Sequence, residues 1–86
     1  MIIKKAQIKN VIGMPLENVD KLIKMAVGYE SNIEFQYKGE LYNAKSVLSI
    51  LGAGLKYGDN IEFRFSGSDE TIASDNIIRL VEKDLC

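Results

Sequence analysis

Four short segments in which apolar and polar residues alternate, three segments with apolar residues at helical spacing, and the order β-α-β-β-α-β-α predict an α+β fold. Each strand has one apolar face, and each helix has one too. Both kinds of face are buried together when an antiparallel sheet is covered on one side by helices, giving an open-faced two-layer sandwich. At 86 residues, with no linker, repeat or low-complexity tract, the chain is one domain, 1-86, with a modest core.

In the first strand Ile2, Ala6 and Ile8 alternate with Ile3, Lys5 and Gln7, Lys4 being the one break. Gly13-Met14-Pro15 ends that pattern. Leu16, Val19, Leu22, Ile23 and Ala26 then recur at helical spacing, opposite Glu17, Asp20, Lys21 and Lys24. Pro15 suits the first helical turn, where a missing N–H costs nothing, and Gly28 suits the end. Ile33, Phe35 and Tyr37 alternate with Glu34 and Gln36 in a second strand. Lys38-Gly39 turns tightly into a shorter strand through Leu41 and Tyr42. A helix from Ser46 to about Ala53 is kept short by Gly52 and Gly54, and Lys56-Tyr57-Gly58-Asp59 is a loop. Ile61, Phe63 and Phe65 alternate with Glu62 and Arg64 in the last strand. Ser66-Gly67-Ser68-Asp69-Glu70 then supplies turn and cap residues, and Ala73, Ile77, Leu80 and Val81 form the inward stripe of a final helix.

Composition excludes several functions. Eleven basic and twelve acidic residues are spread along the chain, so no basic block points to nucleic acid and no acidic tail to a basic partner. The apolar run in Met1-Ile2-Ile3-Lys4-Lys5 is too short for a signal peptide or a membrane span, which gives a cytoplasmic expectation with no membrane partner. Cys86, the single cysteine and last residue, has no internal disulfide partner and does not head a prenylation signal. There is no histidine, hence no imidazole base, no histidine metal ligand and no phosphohistidine. Carboxylates sit on polar faces, so no catalytic residue, metal or cofactor is assigned. Gly52, Gly54 and Gly58 are not followed by Gly-Lys-Ser/Thr, so they make no phosphate loop. Phe35, Tyr37, Tyr42, Phe63 and Phe65 fit a core better than an RNA-stacking platform, because basic support is lacking.

The remaining chemistry lies in Asn43-Ala44-Lys45-Ser46-Val47-Leu48-Ser49-Ile50-Leu51. Ser46 stands where a helix begins. As an N-cap its hydroxyl accepts a backbone N–H, worth about 1 kcal/mol. The same helix start, with free N–H groups and the positive end of the dipole, favours a phosphoryl group. Lys45 adds a cation beside it. Val47, Leu48, Ile50 and Leu51 are too many apolar residues for one buried face, so some are exposed and offer an interaction patch. Phosphorylation would place about −1.5 to −2 charges beside that patch. From these residues alone, cap and switch both stand.

Here the chain resembles the HPr family, the histidine-containing phosphocarrier proteins of the bacterial sugar phosphotransferase system, over nearly its whole length. Asn43-Ala44-Lys45-Ser46-Val47-Leu48 is similar to that family's regulatory serine segment. The Gly39 turn, Gly54, Gly58 and Ser66-Gly67-Ser68-Asp69-Glu70 match as well. The resemblance implies strand order 1-4-2-3 with three helices on one face. It implies that Ser46 is the serine phosphorylated from ATP by HPr kinase/phosphorylase. It further implies a docking patch after Ser46 for a transcriptional regulator such as catabolite control protein A. The partner-binding candidates are Lys45, Val47, Leu48, Leu51 and Met14.

The other family motif is broken. It carries a glycine, an aliphatic residue, the phosphorylated histidine, a small residue, an arginine and a proline before the first helix. The chain has Val11-Ile12-Gly13-Met14-Pro15-Leu16-Glu17-Asn18. Counted without a gap to Ser46, Pro15 replaces the histidine and Glu17 the arginine. Shifted to match the proline, the loop still supplies no imidazole. Phosphocarrier activity is therefore expected to be lost, a pattern that resembles the Crh type, which lacks the histidine and keeps the serine. The resulting expectation is a non-enzymatic regulatory protein of carbon catabolite repression. The alternatives are a diverged binding module in which Ser46 is only a cap and the partner recognises Met14, Leu48 and Leu51, a small enzyme of the acylphosphatase type, and a phosphocarrier that uses another residue. Against the enzyme stands the absence of an arginine-bearing phosphate loop.

Overall fold

In the computed structural model, which describes residues Met1–Cys86, four strands pair in the order β1-β4-β2-β3, all antiparallel. The strands are β1 (Ile2–Gln7), β2 (Asn32–Tyr37), β3 (Glu40–Asn43) and β4 (Asn60–Ser66). The helices are α1 (Leu16–Ala26), α2 (Val47–Ala53) and α3 (Glu70–Arg79), and a π-helical turn over Leu80–Asp84 continues the last one. The predicted elements are all present in the predicted order.

Period-two alternation fixes the register. Ile33 and Ile2 both pair with Phe65, and Phe35 pairs with Phe63, so the large side chains share one face. Phe63 stacks on Phe65 with centroids 5.8 Å apart, and Phe35 stacks on Tyr42 at 5.2 Å. The aromatic residues are thus core, as the alternation predicted. Ala6, Ile33, Phe35, Ile61, Phe63 and Phe65 form one cluster with Val19, Leu22 and Ala26 of α1, Ile50 of α2, and Ala73 and Ile77 of α3. On the opposite, uncovered face Arg64 Nη2 donates to Gln36 Oε1 at 2.7 Å. Lys38 and Gly39 both have positive φ, 51° and 80°, the backbone twist that a two-residue antiparallel connection requires.

Three local expectations are corrected. Leu16 does not face inward: it is 65% exposed, whereas Asn18 is buried and its Nδ2 donates to the Leu85 carbonyl at 3.3 Å. With 3.6 residues per turn, Val19, Leu22 and Ala26 centre the buried stripe on the side of Asn18, and Leu16 falls roughly a right angle away. Pro15 caps α1 rather than entering its first turn, its carbonyl accepting from Asn18 N at 2.9 Å and Val19 N at 3.0 Å. Asp69 makes no side-chain bond to the helix it precedes. Its carboxylate instead accepts from Glu30 N at 2.8 Å, Ser31 N at 3.0 Å and the Ser31 hydroxyl, tying the start of α3 to the loop after α1.

Candidate functional site

The chain arrives at Ser46 from β3 through a turn closed by Asn43. The Asn43 side chain accepts from Lys45 N at 2.9 Å, and its carbonyl accepts from Ser46 N at 3.1 Å. Ala44, fully buried, donates its N–H to the Ile33 carbonyl at 2.9 Å and pins this turn to the sheet. Ser46 is then extended (φ −119°, ψ 120°) and caps α2: its Oγ accepts from Ser49 N at 3.3 Å and its carbonyl from Ile50 N at 3.1 Å. The hydroxyl is half-buried at the helix start, where the sequence placed it.

Ile50 is the one fully buried side chain of α2, at 1% exposure, and Ala53 packs against the core in part. Val47, Leu48 and Leu51 project outward, Leu48 at 83%. A seven-residue helix with one fully buried side chain presents these apolar residues to solvent, which is the patch the apolar surplus predicted. Lys45 is placed differently from the expectation. Its ammonium donates to the Tyr29 carbonyl at 2.7 Å, so it braces the loop after α1. Met14 is half-buried against the core, which leaves it a partial surface at most.

The loop before α1 meets the far end of α2. Gly13 is buried with φ +94°, and a Cβ there would enter the van der Waals shell of the Leu55 carbonyl oxygen. Around it Ile12 N donates to Asn10 Oδ1 and Gly13 N to the Asn10 carbonyl, each at 2.8 Å. Val11 and Ile12 are exposed, as is Leu16, which lies beside Val47. Sequence reasoning missed these three. Val11 and Ile12 carry only an apolar character without a periodic partner, and helical spacing counts Leu16 in the inward stripe of α1. Glu17 follows in the first turn of α1, exposed and in none of the three ion pairs of the molecule. Pro15 thus ends the loop and Glu17 stands in the first turn of α1.

No three carboxylate, thiol or imidazole groups converge as metal ligands would. A second close acid–hydroxyl pair, besides Ser31 with Asp69, is also structural. Tyr37 Oη donates to Asp59 Oδ2 at 2.6 Å, and the same carboxylate accepts Lys56 N at 2.8 Å. The Tyr37 hydroxyl holds the Asp59 carboxyl below its usual range, and that carboxylate in turn raises the phenol.

Fold and site together define a class: a small open-faced sandwich in which the loop before the first helix and a short serine-capped helix share one surface. The family profile described as "PTS HPr component phosphorylation site" matches residues 2–83. The chain belongs to the HPr family. "HPr-like protein Crh" of Halalkalibacterium halodurans is 25% identical over 84 residues, covering 98% of this chain and 100% of that one. "Phosphocarrier protein HPr" of Borreliella burgdorferi is 29% identical over 82 residues, 95% of each chain. The crystal structure of "HPr-C-His" from Thermoanaerobacter tengcongensis matches with a TM-score of 0.94 at 25% identity, covering 99% of this chain and 96% of that one. A phosphocarrier and a Crh protein thus lie at comparable identity, and the choice between their roles rests on this chain's own residues.

Proposed function

We propose that the chain is a cytoplasmic, non-enzymatic regulator in the bacterial sugar phosphotransferase and carbon catabolite control network, switched by phosphorylation of Ser46. The observation that carries this reading is the contrast between two places on one surface. The loop before α1 and the first turn of that helix have Pro15 and Glu17 in place of histidine and arginine, while Ser46 caps a helix with exposed Val47, Leu48 and Leu51. A phosphocarrier needs a nucleophile that accepts and releases a phosphoryl group near neutral pH, which imidazole supplies and a proline or carboxylate here does not. A chain without histidine has no imidazole for that part. A phosphoryl group on Ser46 would add about −1.5 to −2 charges beside the apolar patch and change which partners it accepts. The family resemblance supplies HPr kinase/phosphorylase as the modifying enzyme and a regulator such as catabolite control protein A as the partner.

The test is intact-mass measurement after incubation with ATP and HPr kinase/phosphorylase. One phosphoryl group is expected on the wild type and none on Ser46→Asn, which keeps a capping side chain. No phosphoryl group on the wild type, or one that persists in the variant, overturns the proposal. A second reading, a binding module in which Ser46 is only a cap, is favoured by Lys45. Its ammonium is engaged at the Tyr29 carbonyl and not held ready for a phosphoserine.

A further inference from the structure

A shallow groove between α1 and α2 is lined by Leu16, Val19 and Val47 together with Glu17 and Asp20. Its apolar part is open to solvent, since Leu16 is 65% and Val47 43% exposed. Its charged part is of one sign, for no lysine or arginine lines it. Glu17 is unpaired. Asp20 meets Lys24 at 2.9 Å in an exposed pair one turn along α1, outside the groove, and such pairs exchange readily for another cation. Lys21 also lies outside the lining, and Lys45 is occupied at Tyr29. The position at which the family pattern has arginine is therefore the acidic wall of an apolar groove.

We propose that this groove docks a partner segment presenting an arginine or lysine beside an apolar side chain. The apolar side chain seats against Leu16 and Val47. The cation reaches Glu17 and Asp20, the carboxylates that a guanidinium fork or an ammonium matches. An acidic partner face, suited to an arginine at this position, is turned away by the same two carboxylates. The proposal rests on reading this face as a docking surface, and it does not need Ser46 to be modified. A phosphoryl group on Ser46, next to Val47, would strengthen the preference for a basic partner.

The test uses the unphosphorylated, isotope-labelled chain and two synthetic amphipathic helical peptides with the same leucine face. One is flanked by arginines, the other by glutamates, and amide resonances are followed by NMR. The arginine peptide is expected to shift Leu16, Glu17, Asp20 and Val47, and the glutamate peptide to leave them unmoved. In a Glu17→Arg, Asp20→Arg variant the preference should reverse, with the arginine peptide weakened about tenfold. Equal responses to both peptides, no response to either, or shifts elsewhere on the molecule overturn the proposal. Because no kinase is involved, this result is separable from the fate of the Ser46 switch.

Discussion

Ser46 has a structural duty whatever its regulatory one. Its hydroxyl satisfies the N–H of Ser49, so a Ser46→Ala variant loses the cap of a short helix with one fully buried side chain. The expected cost is about 1 kcal/mol, read from the urea midpoint, and Ser46→Asn should recover most of it. Equal stability of all three proteins would mean that the 3.3 Å contact does not hold the helix start. Lys45 shows where residue-level reading stops. Adjacency in sequence placed a cation beside Ser46, but the ammonium closes on the Tyr29 carbonyl. That partner lies sixteen residues away, and nothing local announces it. Likewise Asp69 is a recognisable cap residue, yet its carboxylate serves Glu30 and Ser31, whose approach is created only when α3 packs.

At the scale of elements, the loop before α1 and the end of α2 are built against each other through Gly13. Gly13 and Gly39 both occupy positive φ, but only Gly13 faces a neighbouring backbone, the carbonyl of Leu55 and the Cα of Lys56. Gly39→Ala should carry just the conformational penalty, about 1–2 kcal/mol. Gly13→Ala should cost more and should also move the amide resonances of Leu55 and Lys56, because the loop has to withdraw. Equal costs with an unchanged spectrum around Leu55 would contradict this packing. Helix and strand identities were legible in the spacing of apolar residues, and the register followed from alternation. The phase of α1 was legible only in part. Leu16 looked inward by composition, whereas Asn18 takes the buried place and anchors the C-terminal carbonyl of Leu85. A hydrophobic residue at the margin of a helical stripe and a polar residue with a distant partner are the two cases that periodicity misassigns.

Across the whole molecule, the charges that stabilise the fold are carboxylates. Asp59 is held low by the Tyr37 hydroxyl, Asp69 by the Ser31 hydroxyl and the Glu30 N–H, Glu70 by the Gly67 N–H, and Asp75 by the Lys4 ammonium. In the unfolded chain such groups titrate at about 3.9 for Asp and 4.3 for Glu. A depressed folded value means that the unfolded chain binds protons first. The stabilisation is therefore complete above those values and is lost as pH falls through the lower, folded ones. The urea midpoint should stay flat from about pH 5 to 7, where no imidazole titrates, and fall below about pH 4. A midpoint that changes between pH 5 and 7, or holds at pH 3, would contradict this assignment. The same absence of histidine supports the proposed regulatory reading. The open-faced sandwich and the exposed apolar residues of α2 were visible in the residues. The acidic groove between α1 and α2 was not, because Glu17 and Val47 meet only in the folded chain.

The central claim, a regulatory serine on a fold without carrier chemistry, is tested most directly by the intact mass of the chain after two parallel incubations. One contains phosphoenolpyruvate and Enzyme I, the other ATP and HPr kinase/phosphorylase. The account predicts a single added phosphoryl group in the ATP reaction, absent in Ser46→Asn, and no added mass from phosphoenolpyruvate. A phosphoryl group acquired from phosphoenolpyruvate, or none acquired from ATP, would contradict it.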